Sequence, residues 1–172
     1  DKAFETLLHL TKLLRGVLSN TAEFCTVADE LNLIESYLDI ERARFEERLE
    51  VTVDVPDQLR GMSIPSLILQ PLVENSIKHG ISENKDGGEV KISAELVRKD
   101  NADFLKLVVL DSGAGRNAAK VRSSTGVGLQ NVRDRLASHY GSKAVLSVES
   151  GSTITGTRAS VLIPVQKQTI LN

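Results

Sequence analysis

The chain has 172 residues, of which 41% are hydrophobic and 26% are charged, and its formal net charge is −2. This near-neutral charge excludes a protein that attracts nucleic acid through an overall positive field. The single cysteine, Cys25, excludes an internal disulfide and a cysteine-rich zinc site.

Two amphipathic helices are predicted at the start of the chain. Apolar residues recur at helical spacing over residues 2–19. A second helix is predicted to begin at Thr26, because Asp29 three residues later completes a capping-box pattern. Its charged stretch ERARFEER is expected to form a solvated face. Residues 1–47 are therefore predicted to form a helical hairpin, whose apolar stripe could pair with a second copy.

The remainder of the chain alternates strands and helices. Helices are predicted over 64–80, with Ser63 as its N-cap, and over 127–140. Period-two patterns predict strands over 49–55, 89–97, 104–110, 143–150 and 157–165. Because the later strands come in neighbouring pairs, we expect an α+β two-layer sandwich with a mixed sheet and helices on one face.

The predicted helix 64–80 ends in a polar group. Asn75, Lys78 and His79 are spaced i, i+3 and i+4, so a helix would present them on one face. An amide oxygen can bind Mg²⁺, and an ammonium can contact phosphate oxygens. The same spacing also fits the solvated end of an amphipathic helix, so this pattern alone leaves both interpretations open.

Two glycine motifs follow. Asp111, Gly113 and Gly115 come directly after the apolar strand LKLVVL, where a carboxylate can accept a hydrogen bond from a base amine and glycines allow close approach. The motif GVGL at 126–129 precedes a helix, whose first N–H groups can bind phosphate. Each motif is weak alone, since a tight turn would also explain the first.

In their order and spacing, these motifs resemble the nucleotide pocket of the GHKL ATPase superfamily. The stretches LNLIESYLDIERARFEERLEV, IPSLILQPLVENSIKHGI, VVLDSGAG, GVGLQNVRDRL and GTRASVLIP resemble more narrowly the LytS-type sensor histidine kinases, over residues 7–165. The resemblance implies a GHKL (Bergerat) fold. It also implies an ATP-binding catalytic domain over 48–166, a tail over 167–172, and the end of the dimerisation region over 1–47.

The resemblance also assigns roles to single residues. Asn75 would bind Mg²⁺, and Asp111 would bind the adenine amine with support from Thr157, through its hydroxyl or a water. Gly113 and Gly115 would let the base lie against the backbone. Residues 116–125 would form a short lid over the ATP. The residues implied to surround the phosphates or metal-bound water are Lys78, His79, Lys120, Arg122, Gly126, Val127, Gly128 and Leu129.

The implied reaction is phosphoryl transfer. Hydrolytic members of the superfamily carry a glutamate four residues before the metal-binding asparagine, but that position here is Pro71, which cannot activate water. The implied acceptor is a histidine in a Pro-His-Phe-Leu-Phe-Asn motif. None of the three histidines has that context. The acceptor is therefore expected upstream, outside this chain, and no catalytic residue is assigned.

The resemblance further implies ATP and Mg²⁺ as ligands, a response regulator as partner and a homodimer formed through the N-terminal helices, with no nucleic acid. It implies a cytoplasmic domain of a protein anchored in the cell membrane. Two alternatives stay open. One is a serine kinase of the anti-sigma-factor type, against which the helical hairpin argues. The other is a nucleotide-dependent binding module without transfer.

Overall fold

The computed structural model describes residues 22–82, 84, 86–113, 127–151 and 154–165. The predicted first helix over 2–19, the tail over 167–172 and the lid over 116–125 lie outside these ranges. No helix within the described ranges is both long and apolar enough to cross a membrane.

The described part of the chain forms four helices and seven strands. The helix Leu69–Ser76, named α3 below, continues without a break into a π-helical turn, Ile77–Ile81. In chain order, the elements are β1 (Phe24–Thr26), α1 (Val27–Phe45), β2 (Leu49–Asp54), α2 (Asp57–Arg60), β3 (Ser63–Pro65), α3 (Leu69–Ser76), β4 (Gly88–Lys99), β5 (Ala102–Asp111), α4 (Val127–Tyr140), β6 (Val145–Gly151) and β7 (Ile154–Pro164).

The main sheet is mixed, which confirms the predicted fold class. Its five strands lie in the order β2-β4-β5-β7-β6, with β2 parallel to β4 and the other pairs antiparallel. The β4–β5 hairpin turns at Asp100 and Asn101, which both have positive φ, at 50° and 63°. Positive φ at both central residues matches the right-handed twist of the flanking strands and is tolerated best by such short polar side chains.

Helix α1 begins at the capping box that the sequence predicts. The Asp29 N–H donates to Thr26 Oγ1 at 3.1 Å, and the Thr26 N–H donates to Asp29 Oδ2 at 2.9 Å. The Thr26 hydroxyl also donates to Asp29 Oδ2 at 2.6 Å, and this bond together with that from the Thr26 N–H lowers the pKa of the Asp29 carboxyl. The helix then buries Ile34 and Leu38 in the same hydrophobic core as the sheet. The division of the chain at residue 47 stays a prediction, although this core extends across it.

The predicted start of helix 64–80 is wrong. Ser63–Pro65 form strand β3, which pairs with β1, and α3 begins only at Leu69. The N-cap residue is Ile68, and the acceptor for the first N–H groups comes from another helix. The buried Glu30 carboxylate of α1 accepts the N–H of Leu67, Leu69 and Gln70. A carboxylate at a helix N-terminus satisfies the unpaired N–H groups there and opposes the helix dipole.

The core lies between one face of the sheet and three helices. Along β5, Leu105, Leu107 and Val109 are buried, whereas Lys106 and Val108 between them are partly exposed. Helices α3 and α4 cover the buried face, as predicted, and α1 packs on α3. This packing brings the end of β5 against the polar end of α3.

Candidate nucleotide-binding site

Asp111 is the last residue of β5, and two backbone N–H groups hold its carboxylate in place. The residue is 2% exposed, and its Oδ1 accepts the N–H of Gly113 and of Thr157, both at 3.1 Å. Thr157 lies directly opposite Asp111 in the β5–β7 ladder. The observed contact from Thr157 thus comes through its backbone N–H, whereas the resemblance implied its hydroxyl or a water.

Glycines surround Asp111. A Cβ on Gly113 would lie 2.5 Å from the Cα of Gly80, and a Cβ on Gly80 would lie 2.6 Å from Asp111 Oδ1. Gly156 has φ of +86°, and a Cβ there would lie 1.7 Å from the Asp111 carbonyl oxygen. A side chain at Gly80 or Gly156 would therefore displace Asp111, and one at Gly113 would displace the backbone of Gly80. Sequence reasoning did not identify Gly80, whose available signal was its position directly after His79.

A second group of predicted residues lies together around a cavity of about 630 Å³. Asn75 near the end of α3 lines it, with Lys78 and His79 from the π-helical turn. The predicted residues Val127, Gly128 and Leu129, at the start of α4, line the same cavity. The cavity therefore combines an amide, an ammonium and a helix N-terminus, which are groups that bind metal-bound phosphate.

The π-helical turn was not predicted. The Ser82 N–H donates to the carbonyl of Ile77 at 2.9 Å, five residues back. Such wide turns interrupt α-helices frequently at functional sites. Here the turn carries both Lys78 and His79, and Gly80 within it packs against Asp111. The turn thus joins the two groups of residues. Of the remaining predicted positions, Gly115, Lys120, Arg122 and Gly126 lie outside the described residues.

Helix α1 supplies residues to the cavity that sequence reasoning missed. Tyr37, Glu41 and Arg44 line it, and their spacing of four and three places them on one helical face. That spacing was a usable signal. The interpretation of ERARFEER as a solvated face is wrong for Glu41, which is 2% exposed. Burial and the negative charges of Glu41 and Glu74 raise the pKa of Tyr37.

Comparison with known proteins agrees with this geometry. Residues 63–167 match the family of histidine kinase-, DNA gyrase B- and HSP90-like ATPases, and residues 1–49 match a histidine kinase family. The chain belongs to the histidine kinase-, DNA gyrase B- and HSP90-like ATPase family. The resemblance found in the sequence is therefore confirmed, and this member of the ATPase family is an ATP-binding catalytic domain of the histidine kinase type.

Among proteins with curated descriptions, the chain is similar to sensor histidine kinases. The sensor histidine kinase BtsS of Escherichia coli K12 is 35% identical over 162 residues, covering 90% of this chain and 27% of BtsS. The sensor histidine kinase/phosphatase LytS of Staphylococcus aureus MRSA252 is 32% identical over 179 residues, covering 98% of this chain and 30% of LytS. The chain thus spans less than a third of the length of these relatives.

Solved structures share the fold. The histidine kinase domain of the blue-light activated kinase EL346 from Erythrobacter litoralis has a TM-score of 0.61 at 20% identity, covering 84% of this chain and 64% of that one. The histidine kinase AdeS of Acinetobacter baumannii has a TM-score of 0.60 at 19% identity, covering 95% and 80% of the two chains. The ATPase fold of this chain is therefore that of histidine kinase catalytic domains.

Proposed function

We propose that this ATPase domain binds ATP with Mg²⁺ between the end of β5 and the start of α4. The buried carboxylate of Asp111 would accept a hydrogen bond from the adenine amine. The observation that carries this proposal is the buried Asp111 carboxylate, which accepts the N–H of Gly113 and which Gly80 approaches so closely that a Cβ there would lie 2.6 Å from Oδ1. Thr157 holds the carboxylate through its N–H.

At the other end of the site, Asn75 would bind Mg²⁺, and Lys78 and His79 would contact phosphate oxygens or metal-bound water. All three line the same cavity, which supports these roles. An amide oxygen fits this ion, which takes few protein ligands and completes its shell with phosphate and water. When bound, Mg²⁺ would neutralise charge on the phosphates. The N-terminus of α4 at Val127, Gly128 and Leu129 would hold the phosphates, with Gly126 before it.

The reaction that we propose is transfer of the γ-phosphate to a histidine on a dimerisation helix, for relay to a response regulator. Pro71 lines the cavity at the position where hydrolytic relatives carry their base, which favours transfer over hydrolysis. Both named relatives are sensor histidine kinases, which supports the same reaction. The complete protein would act as a homodimer through its N-terminal helices and be anchored in the membrane.

The test measures nucleotide binding first and transfer second. The 172-residue chain should bind ATP in the presence of Mg²⁺, and Asn75→Ala should lose most of this Mg²⁺-dependent affinity. Asn32→Ala on the exposed side of α1 is the matched control and should bind normally. Equal ATP affinity of wild type and Asn75→Ala, with both chains folded, would remove Asn75 from the site.

The transfer step needs a separately supplied chain that carries the Pro-His-Phe motif. We expect acid-labile, alkali-stable phosphate on that added chain in the presence of ATP. Acid-stable phosphate would instead indicate a serine kinase. ATP binding without transfer to any supplied acceptor would favour a binding module.

A further inference from the structure

Glu41 is a buried carboxylate with an incomplete set of partners. Its side chain is 3% exposed, and its Oε2 accepts no hydrogen bond within the described part of the chain. The nearby Arg44 guanidinium nitrogen is 3.5 Å from Oε2, which is longer than a normal hydrogen bond. The Tyr37 hydroxyl donates a hydrogen bond to the Glu41 side chain. This hydrogen bond and the long Arg44 pair replace only part of the hydration that a carboxylate loses on burial, which is unfavourable.

The cavity places Glu41 among groups that suit a cation. Glu74 lines the same walls, together with the amide of Asn75. Tyr37 lines the same cavity, and burial and the negative charges of both carboxylates raise its pKa. Two carboxylates and an amide therefore surround one cavity, and the oxygen atoms of such groups are the ligands that Mg²⁺ prefers.

We infer that Glu41 belongs to the divalent-cation site of the bound nucleotide, as a ligand of the cation or of one of its waters. This inference rests on the proposed function, because the cation would arrive with the nucleotide. Within the described residues, no cluster of three or more histidine, cysteine, aspartate or glutamate side chains could hold a metal by itself. Phosphate oxygens of the nucleotide would complete the shell, so Mg²⁺ alone is expected to bind weakly.

The consequence concerns helix α1. Because Glu41 lies on α1 and Asn75 lies on α3, a cation bound between them would connect the helix that precedes the sheet to the nucleotide. Binding of the metal–nucleotide complex would then depend on the position of α1, and a shift of α1 would change metal affinity without touching the adenine end.

The experiment compares ADP affinity with Mg²⁺ and with EDTA, by calorimetry on the 172-residue chain. In Glu41→Gln, the factor by which Mg²⁺ strengthens ADP binding should fall roughly tenfold to a hundredfold. Affinity in EDTA should stay constant or rise, because a negative charge facing the phosphates is gone. A purely structural role for Glu41 would weaken both affinities by the same factor, and this result would overturn the inference.

Glu35→Gln is the matched control, since Glu35 lies on the same helix with its side chain 54% exposed. It should leave the Mg²⁺ factor unchanged. Failure of the wild type to bind ADP at all would instead contradict the proposed function. A wild type with a normal Mg²⁺ factor, retained in Glu41→Gln, would contradict only the role of Glu41.

A second measurement needs no substitution and covers the case in which Glu41→Gln does not fold. In wild type with ¹³C-labelled glutamate carboxyls, Mn²⁺ added with ADP should broaden the Glu41 signal far more than the Glu35 signal. Equal broadening of the two signals would overturn the inference, and Mn²⁺ without ADP should have little effect on either.

Discussion

At the scale of single residues, the Asp111 carboxylate that we propose to bind adenine is held in place by the protein itself. Two backbone N–H groups donate to Asp111 Oδ1, so the carboxylate has little rotational freedom to lose on binding. Preorganisation of this kind reduces the entropic cost of binding. The specificity of the site is thus expected to depend on one side chain that the surrounding backbone holds in place.

Asp111→Asn should weaken ATP binding roughly tenfold to a hundredfold, since a hydrogen bond to a charged group contributes about 1.5–3 kcal/mol. In the asparagine variant, the amide oxygen would keep the hydrogen bonds from Gly113 and Thr157. The NH₂ group would then replace the second carboxylate oxygen, and an NH₂ group cannot accept a hydrogen bond from a base amine. Calorimetric titration measures the change. Asp103→Asn, exposed near the start of the same strand, should bind normally. Indistinguishable ATP and GTP affinities in wild type would contradict this role of Asp111.

Gly80→Ala should reduce both stability and ATP affinity. The new methyl group would lie 2.6 Å from Asp111 Oδ1, and the hydrogen-bonded carboxylate cannot move away without losing its donors. Overpacking of this type costs about 1–3 kcal/mol. Gly61→Ala is the control, because a Cβ there meets nothing within 4 Å. Urea unfolding and ATP titration should separate the two variants, and equal stability would show that Asp111 accommodates the methyl group.

At the scale of elements, helix α3 depends on α1 for its first turn. Leu67 has a φ of +61°, which residues other than glycine rarely adopt. The Glu30 carboxylate accepts the N–H of Leu67 itself and of Leu69, two residues later. On the far side, the Arg135 guanidinium of α4 donates to the Ser66 carbonyl. Hydrogen bonds from α1 and α4 therefore fix the start of α3. Because Asn75 lies on α3, its position depends on these hydrogen bonds.

Glu30→Gln should lower the free energy of unfolding by about 2–3 kcal/mol, because one neutral oxygen replaces a charged pair of acceptors for three N–H groups. Urea unfolding measures this loss. The exposed Glu35→Gln should change stability by less than about 0.5 kcal/mol. A loss of similar size in both variants would mean that Glu30 contributes only through the general charge of α1.

At the scale of the whole molecule, α1 is part of the core. Val27, Ile34 and Leu38 are at most 1% exposed and belong to the same buried cluster as Leu107 and Val109 of the sheet. Burying each such side chain contributes about 1.5–3 kcal/mol. The total is comparable with the 5–15 kcal/mol by which domains are usually stable.

A chain truncated to residues 48–172 should therefore lack the cooperative thermal transition of the full chain. Removing α1 would expose to water the apolar side chains that it covers in the full chain. A chain of residues 22–172 keeps every core residue described above and should retain the transition. Calorimetry compares the two. An unchanged transition temperature for residues 48–172 would show that α1 does not stabilise the sheet, and the predicted division at residue 47 would gain support.

The sequence by itself determined the elements whose signals are local. The capping box at Thr26 and Asp29 needs only neighbouring residues, and helix α4 ends at Tyr140, as its apolar spacing predicts. The ordered motifs around Asn75, Asp111 and Gly128 were sufficient to indicate the ATPase family. Each motif is weak alone, but their common order and spacing resemble those of the ATPase superfamily.

The tertiary structure decided what depends on contacts between distant parts of the chain. Ser63 looks like a cap, but Glu30, more than thirty residues earlier in the chain, supplies the acceptor, so α3 begins at Leu69. Glu41 looks like a solvated charge, but the packing of α1 on α3 buries it in the cavity wall. Local patterns report the preferences of a segment, whereas burial and hydrogen-bond partners depend on which other segment packs against it, and only the folded chain specifies that.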